Sequence, residues 1–209
     1  MTIVISNIKT TPVLVPFRRP PVTASGAISE LPLVLLDVET DAGLTGHAYL
    51  FVFLKSMLKP TMGCVAAIEE LVRGMSADPE QVDPLLRQRL RLLDIHGILG
   101  QVLAGLDMAL WDIRAKSEDL SLAKVLGDPK EYVKTYNSCG LWLEKGDPEK
   151  LADQAQELLA EGDFSAVKLR LGYETFKEDL AVVRAVKRSC GGAVDLMSDF
   201  NQGLDPKEA

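Results

Sequence analysis

Three charged residues stand out in two mainly apolar stretches of the 209-residue sequence. Lys168 and Arg170 alternate with apolar residues in AVKLRL, and Asp199 comes near the end of AVDLMSDF. Because successive side chains of a β-strand point to opposite faces, the two cations would share one face and the apolar residues the other. An unpaired charge is costly to bury. We therefore expect an anionic group beside Lys168 and Arg170.

The two stretches could bring these charges into one site. Neighbouring strands lie about 4.8 Å apart, and barrel enzymes have their active sites at the C-terminal ends of parallel strands. There Asp199 could hold Mg²⁺, which prefers oxygen ligands, while Lys168 and Arg170 hold a substrate carboxylate. A structural salt bridge between strand ends, with Asp199 capping the next turn, explains the same residues equally well.

The segments around these charges predict alternating strands and helices. The strand patterns are YVKTYNS (132–138), FSAVKLRL (164–171) and AVDLMSDF (193–200), and the helix patterns are GDPEKLADQAQELLAEG (146–162) and ETFKEDLAVVRAVKRSCGG (174–192). Asp147 and Pro148 are typical of a helix start, Thr175 and Glu178 have the spacing of a capping box, and Gly191 is a typical helix stop. This order predicts βαβ units and hence a parallel sheet or the beginning of a barrel.

The earlier part of the chain predicts a β meander followed by helices. Strand patterns are IVISNIKTTPVLVPF (3–17), LPLVLLDVET (31–40) and LTGHAYLF (44–51), and the polar stretch RRPPVTASGAIS (18–29) predicts a mobile loop. The stretch 97–118 has the apolar spacing of an amphipathic helix. We expect its Met108 and Trp111 to pack in the core or in an interface.

Composition narrows the class of function. The net charge is −7 and the basic residues are scattered, which argues against a nucleic-acid partner and favours a small-molecule substrate. The N-terminus has no signal-peptide pattern and we see no membrane segment, so we expect a cytoplasmic protein. The three cysteines lack disulfide or zinc spacing and are interpreted as reduced packing thiols. Only His47 and His96 could supply a histidine base.

The chain resembles the enolase superfamily and, within it, the mandelate racemase subgroup. The resemblance rests on the loop and meander 20–51, on AGLDMALWD, AVKLRLGY, DLAVVRAV and DFNQGLD, and most specifically on a K-x-K-like pair followed about thirty residues later by D-x-N. It implies an α+β N-terminal capping domain at residues 1–130. It also implies that 131–209 begin an incomplete α/β TIM-type (β/α)₇β barrel, with its first three strands and two helices.

The resemblance also implies roles for single residues. Asp199 would be the first Mg²⁺ ligand, Lys168 would lie near the metal-bound substrate carboxylate, and Arg170 takes the position of a lysine that is the base in the racemase. The substrate-binding residues that it implies are Asn201, Ser138, Val22, Thr23 and Ile28. The shared chemistry is removal of the proton α to a carboxylate, with Mg²⁺ stabilising the enediolate.

One departure from the family pattern favours a particular reaction. Arginine stays protonated at ordinary pH, so Arg170 is a poor general base. This favours an acid-sugar dehydratase, a hydro-lyase that can work from one base elsewhere, over a racemase or epimerase of a 2-hydroxy acid such as mandelate. The remaining metal ligands and a His–Asp pair are not in these 209 residues, so we expect the activity to belong to a longer parent and this chain to be inactive alone.

Two hypotheses from other classes stay open. Lys168 could be a Schiff-base lysine of an aldolase, with its pKa lowered by desolvation beside Arg170. Alternatively, the chain could be a non-catalytic half barrel that assembles through an exposed sheet edge and apolar face. An exposed sheet edge and apolar face of this kind predict a homo-oligomer.

Overall fold

The computed structural model describes residues 2–17, 20, 22–23, 26–93, 95–127, 130–138, 147–200 and 203–205. The chain divides into two compact units. The first contains Met1–Pro16 and Glu30–Lys130, and the second contains Phe17–Ser29 and Glu131–Ala209.

Strands and helices follow one another in the order that the sequence patterns predict, except at 132–138 and within the predicted loop 18–29, where two short strands form. The strands are β1 (Ile5–Pro16), β2 (Val22–Thr23), β3 (Gly26–Ala27), β4 (Glu30–Thr40), β5 (Thr45–Phe51), β6 (Ala166–Arg170) and β7 (Asp195–Asp199). The helices are α1 (Leu58–Val72), α2 (Pro79–Arg89), α3 (Gly97–Ser117), α4 (Leu122–Val125), α5 (Pro148–Ala160) and α6 (Phe176–Cys190).

The first unit is built on an antiparallel sheet with the strand order β1-β4-β5. Alternation along β4 buries Val34, Leu36 and Val38 on the face that joins the core. The tight connection from β4 to β5 uses Gly43 at φ +75°, a conformation that glycine adopts without steric cost. These features confirm the predicted meander.

Helix α3 packs an apolar face into the core of the first unit. Its buried face follows the predicted spacing and contains Val102, Leu103, Leu106, Ala109, Leu110 and Ile113. The backbone N–H of His47 donates to the Asp112 carboxylate at 2.9 Å, which ties the helix to β5. Trp111 is half-buried with the Arg114 guanidinium 5.3 Å from its ring centroid. Met108 is 48% exposed, so the expectation of core packing is wrong for it within this chain.

Gly46 allows β5 to approach α3 closely. A Cβ at this position would overlap the carbonyl oxygen of Ala109 and come within 2.8 Å of the Ile113 side chain. The obstacle is helix backbone, which cannot rotate away as a flexible side chain can. The sheet and the helix can therefore keep this spacing only with glycine at position 46.

The second unit contains the strands and helices that carry the predicted site. β6 and β7 pair in parallel, and α5 and α6 bury Leu151, Ala155, Leu158, Val182 and Val186 against the apolar residues of β6. Asp147 accepts hydrogen bonds from the Glu149 and Lys150 amides, and Thr175 and Glu178 form a full capping box. The predicted starts of α5 and α6 are therefore confirmed.

The predicted strand at 132–138 is the exception. The structure shows only an isolated parallel bridge there, in which the Asn137 amide donates to the Ala166 carbonyl and the Lys168 amide donates to the Asn137 carbonyl, both at 3.0 Å. The strand prediction is wrong over most of the segment because Tyr132 and Val133 are exposed and make no ladder with β6.

Within the described ranges, no helix combines the length and the apolar composition that crossing a bilayer requires. Cys64 and Cys190 are free and half-buried, and burial raises the pKa of both thiols. A raised pKa lowers the thiolate fraction and so the reactivity, as expected for packing thiols. Cys139 lies outside the described residues.

We expect Gly46→Ala to lower the free energy of unfolding by about 1–3 kcal/mol, because the added methyl group must push β5 away from α3. The matched control is Gly63→Ala in α1, where a Cβ meets nothing within 4 Å. That change should stabilise the protein by about 0.5–1 kcal/mol, since alanine loses less backbone entropy than glycine in a helix. Urea unfolding of both variants measures the two effects. Equal destabilisation by the two changes would contradict the close approach at Gly46.

Candidate active site at the ends of two parallel strands

The ends of β6 and β7 bring Lys168 and Asp199 together. In the parallel register Lys168 lies opposite Met197, and Arg170 lies opposite Asp199. The Lys168 ammonium Nζ lies 3.2 Å from Asp199 Oδ2. The amide of Leu171 donates to the Asp199 carbonyl at 3.0 Å, which holds the two strand ends side by side. The charges that the sequence places on separate stretches thus meet at one sheet edge.

Burial separates the two faces of β6 as the alternation predicts. Val167 and Leu169 are 0% and 1% exposed, whereas Lys168 and Arg170 are half-buried on the other face. The side chain of Lys168 is 24% exposed and that of Asp199 is 39% exposed. Solvent therefore reaches this ion pair only in part, and a small anionic molecule could approach it.

An aromatic ring is a further neighbour of the lysine. The Lys168 ammonium lies 5.4 Å from the centroid of the Tyr136 ring, within the distance at which a cation is attracted to an aromatic face. Tyr136 belongs to the segment that bridges β6 at Asn137. The sequence pattern around the charged strands does not single out this tyrosine.

Asn137 anchors the segment that ends in the predicted substrate-binding residue Ser138. Its side-chain amide is buried and donates to the Leu158 carbonyl at 3.0 Å and to Glu161 at 3.2 Å. These partners lie at the C-terminal end of α5, so the helix holds the segment against β6. Ser138 itself is half-buried. A single buried amide in a polar segment leaves no distinctive sequence signal.

Asp179 orders the loop that follows β6. This carboxylate is buried and accepts hydrogen bonds from the backbone amides of Gly172 at 2.9 Å and Tyr173 at 3.2 Å. The sequence did contain a signal for it, because Asp179 falls on the same helical stripe as the buried Val182 and Val186. A carboxylate on an apolar stripe requires buried donors.

The structure gives less detail for the other predicted site residues, Val22, Thr23, Ile28 and Asn201. Val22 and Thr23 form β2, which pairs with β3 as a short ribbon, and the Phe17 amide donates to the Ser29 carbonyl at 3.1 Å at the base of this segment. Ile28 is half-buried after the ribbon. Asn201 lies outside the described residues.

Asp199 offers a single carboxylate to a cation. Its oxygen donors are of the kind that Mg²⁺ prefers, and Mg²⁺ is often held by one or two carboxylates with waters and substrate atoms completing the octahedron. Among the residues that the structure describes, no three His, Cys, Asp or Glu side chains are grouped so that they could hold a metal ion. Asp199 therefore fits as one ligand of a magnesium site.

The carboxylate of Asp107, in the first unit, has a raised pKa. Burial, followed by repulsion from Asp83, raises the pKa of Asp107 above its ordinary value of 3.8. Arg87 and a hydrogen bond from Trp111 act in the opposite direction but do not cancel the increase. Asp107 lines a shallow groove between α2 and α3 with mostly apolar residues. Its pKa reflects packing in that groove.

Comparisons with known proteins place the chain in a family. Residues 5–127 match the family model described as mandelate racemase / muconate lactonizing enzyme, N-terminal domain. This chain belongs to that family. Residues 150–209 match a second model, described as enolase C-terminal domain-like. The two matches confirm the predicted fold class, an enolase-type N-terminal α+β domain followed by part of an α/β barrel.

Relatives of this chain include dehydratases named for sugar acids. An arabinonate dehydratase of Saccharolobus solfataricus is 29% identical over 85% of this chain and 47% of its own length. An L-talarate/galactarate dehydratase of Salmonella typhimurium is 26% identical over 87% of this chain and 45% of its own length. Other relatives are named as cycloisomerases and an epimerase. The chain spans about half the length of the curated relatives that it matches.

A solved family structure carries both magnesium and a hydroxy acid. It is an enolase from Bradyrhizobium complexed with magnesium and mandelic acid, 32% identical, with a TM-score of 0.90. It covers 100% of this chain, and the match includes 56% of the Bradyrhizobium chain. The fold of the present chain therefore corresponds to that part of a family member.

We expect Asp179→Ala to lower the free energy of unfolding by about 1–3 kcal/mol, because two loop amides lose their buried acceptor. Asp153→Ala, at an exposed position of α5, is the matched control and should change it by less than about 0.5 kcal/mol. Urea unfolding gives both values. Faster hydrogen exchange at Gly172 and Tyr173 in Asp179→Ala would locate the effect, and unchanged exchange there would contradict the assignment.

The raised pKa of Asp107 predicts a pH-dependent effect. The folded state holds this proton more tightly than the unfolded state, so the stabilisation is complete below the ordinary pKa of 3.8 and is lost as the pH rises through the folded pKa. We expect Asp107→Asn to raise the free energy of unfolding at pH 7 and to have little effect near pH 3. Urea unfolding at both pH values tests this. Destabilisation at pH 7 would show that the carboxylate is favourable as an anion.

Proposed function

We propose that this chain supplies the carboxylate-binding part of a Mg²⁺-dependent enzyme that removes a proton α to a carboxylate. The reaction that we propose is dehydration of an acid sugar by the complete protein, acting as a homo-oligomer on a small carboxylate substrate. The observation that carries the proposal is the 3.2 Å approach of Lys168 and Asp199 at the C-terminal ends of two parallel strands. Active sites of barrel enzymes lie at that face.

Lys168 binds the substrate carboxylate in this proposal. Its ammonium group is half-buried, so a carboxylate that approaches it displaces little water and gains a charge-assisted hydrogen bond. The group is also held on a rigid strand whose opposite face is fully buried. A fixed donor of this kind loses little entropy when the substrate binds.

Arg170 contributes charge and does not accept the proton. A guanidinium remains protonated throughout the ordinary pH range, and Arg170 shares its face of β6 with Lys168. It stabilises negative charge that develops on the substrate as the α-carbon–hydrogen bond breaks. The α-proton goes to another base of the complete protein, and the β-hydroxyl takes up a proton from an acid group of that protein as its carbon–oxygen bond breaks and leaves as water.

Asp199 holds the metal in this proposal. Mg²⁺, when bound, supplies electrostatic stabilisation of the charge that develops on the substrate carboxylate. The Asp199 carboxylate lies beside Lys168. A substrate carboxylate close to a metal on Asp199 would therefore also be close to the lysine. Substrate contacts from Ser138, Asn201 and the segment with Val22, Thr23 and Ile28 complete the proposed site.

Racemisation of a 2-hydroxy acid is the second candidate. The observation that favours it is the mandelic acid bound to the Bradyrhizobium family member. The match with that structure covers 100% of the present chain. A racemase needs an acid and a base on opposite faces of the substrate, and protonated Arg170 is unsuited to be the base. Dehydration needs one base, and two of the named relatives are dehydratases.

The assays use the protein encoded by the complete open reading frame that contains these residues. Dehydration of aldonates and aldarates is followed by the 2-keto-3-deoxy acid product, and mandelate racemisation is followed by circular dichroism. We expect Mg²⁺-dependent dehydration that EDTA abolishes and added Mg²⁺ restores. Turnover of mandelate without turnover of any acid sugar would favour the second candidate.

We expect Asp199→Asn and Lys168→Met each to lower kcat/KM at least about 100-fold, because the first removes the charge proposed to hold the metal and the second removes the charge proposed to bind the substrate carboxylate. The matched control is Asp195→Asn at the opposite end of the same strand, where the exposed carboxylate pairs with Lys134. It should retain full activity. Equal losses in Asp195→Asn and Asp199→Asn would exclude a specific role for the strand end.

Arg170→Lys separates the roles of this position. A lysine can lose its proton when it is desolvated beside a second cation, so this variant could exchange the substrate α-proton with solvent deuterium. We expect it to lose dehydratase activity while exchange appears or rises. Full dehydratase activity in Arg170→Lys would show that the guanidinium geometry is not required.

A further inference from the structure

Tyr136 reaches the lysine because both backbone groups of the next residue, Asn137, are hydrogen-bonded to β6. The Asn137 amide donates to Ala166, the Lys168 amide donates to Asn137, and the Asn137 side chain is buried towards the end of α5. Side chains alternate along an extended segment, so Tyr136 and Ser138 lie on the face opposite the Asn137 side chain. The Tyr136 ring is accordingly found beside Lys168.

Among the described residues, Asp199 and Tyr136 are thus two different kinds of neighbour for the Lys168 ammonium. Asp199 Oδ2 is 3.2 Å away, and the Tyr136 ring centroid is 5.4 Å away. The carboxylate attracts the cation strongly but also neutralises its charge. The aromatic ring attracts the cation through its quadrupole and leaves the full positive charge available.

These two contacts respond differently when Asp199 takes another partner. A carboxylate that ligates a divalent cation has less charge to offer a neighbouring ammonium, so the Lys168–Asp199 pair weakens. The Tyr136 contact does not depend on Asp199. The ring can keep the long lysine side chain in one orientation at the moment when its charge is required by a substrate carboxylate.

We propose that Tyr136 is a positioning residue that holds the Lys168 ammonium at the strand edge independently of Asp199. This inference rests on the proposed function for its catalytic meaning, because it makes Tyr136 act on substrate binding through Lys168. The matched variants are Tyr136→Phe, which keeps the ring, and Tyr136→Leu, which removes it. Tyr132→Leu, at an 83% exposed tyrosine of the same segment, is the control.

The first test is spectroscopic and does not require activity. Lysines of the 209-residue chain are reductively methylated with ¹³C, and Lys168→Arg identifies the Lys168 resonance. We expect this resonance to be shifted upfield by the ring current, and the shift to remain in Tyr136→Phe, Tyr132→Leu and Asp199→Asn. It should disappear in Tyr136→Leu. An unchanged resonance in Tyr136→Leu, or loss of the shift in Asp199→Asn, would overturn the inference.

The second test uses the complete protein. We expect Tyr136→Leu to raise KM for the carboxylate substrate about 2- to 30-fold, the range given by the strength of a cation–π contact, with Tyr136→Phe near the parent value. In the Lys168→Met background, Tyr136→Leu should have no further effect on KM. A further increase of the same size in that background would overturn the inference, because Tyr136 would then act without Lys168.

The two tests separate this inference from the proposed function. Loss of Mg²⁺-dependent turnover in Asp199→Asn together with an unshifted Lys168 resonance in the parent chain would retain the function and reject the role of Tyr136. A ring-current shift that depends on Tyr136 in a protein without turnover of any carboxylate substrate would retain the contact and reject the function.

Discussion

The parallel pairing of β6 with β7 is the constraint on which the candidate site depends. It places Arg170 opposite Asp199 and brings the Lys168 ammonium within 3.2 Å of the Asp199 carboxylate. The pairing is stable because the other face of β6 is apolar and fully covered by α5 and α6. Burial of one face thus forces the cations onto the opposite face, where the strand ends meet.

Stability alone is a weak reason for this arrangement. A partly exposed ion pair contributes about 0–1 kcal/mol, and Lys168 and Asp199 are 24% and 39% exposed. The surrounding chain is nevertheless held firmly, with Asn137 bound to the end of α5 and Asp179 bound to the loop after β6. Rigid support around weakly stabilising charges is the arrangement that a binding site requires, since it lowers the entropy lost on binding.

Family membership and local geometry support different parts of the functional argument. The match at 5–127 establishes the family, and the named relatives include dehydratases, cycloisomerases and an epimerase. Those names cover several different reactions. In the proposed function, Arg170 is the residue that favours dehydration over racemisation, because a permanent cation can stabilise charge but cannot accept the α-proton.

Local sequence patterns were sufficient to predict the two faces of β6, the caps at Asp147 and Thr175, and the buried stripe of α3. These features depend on periodicity and on hydrogen bonds between residues close in the chain. Three others came only from the folded chain: 132–138 makes a single bridge, Asn137 is buried with a backbone partner at the end of α5, and Tyr136 meets Lys168. Most of those contacts join segments far apart in the chain, and their geometry depends on how the helices pack on β6. No local pattern encodes that packing.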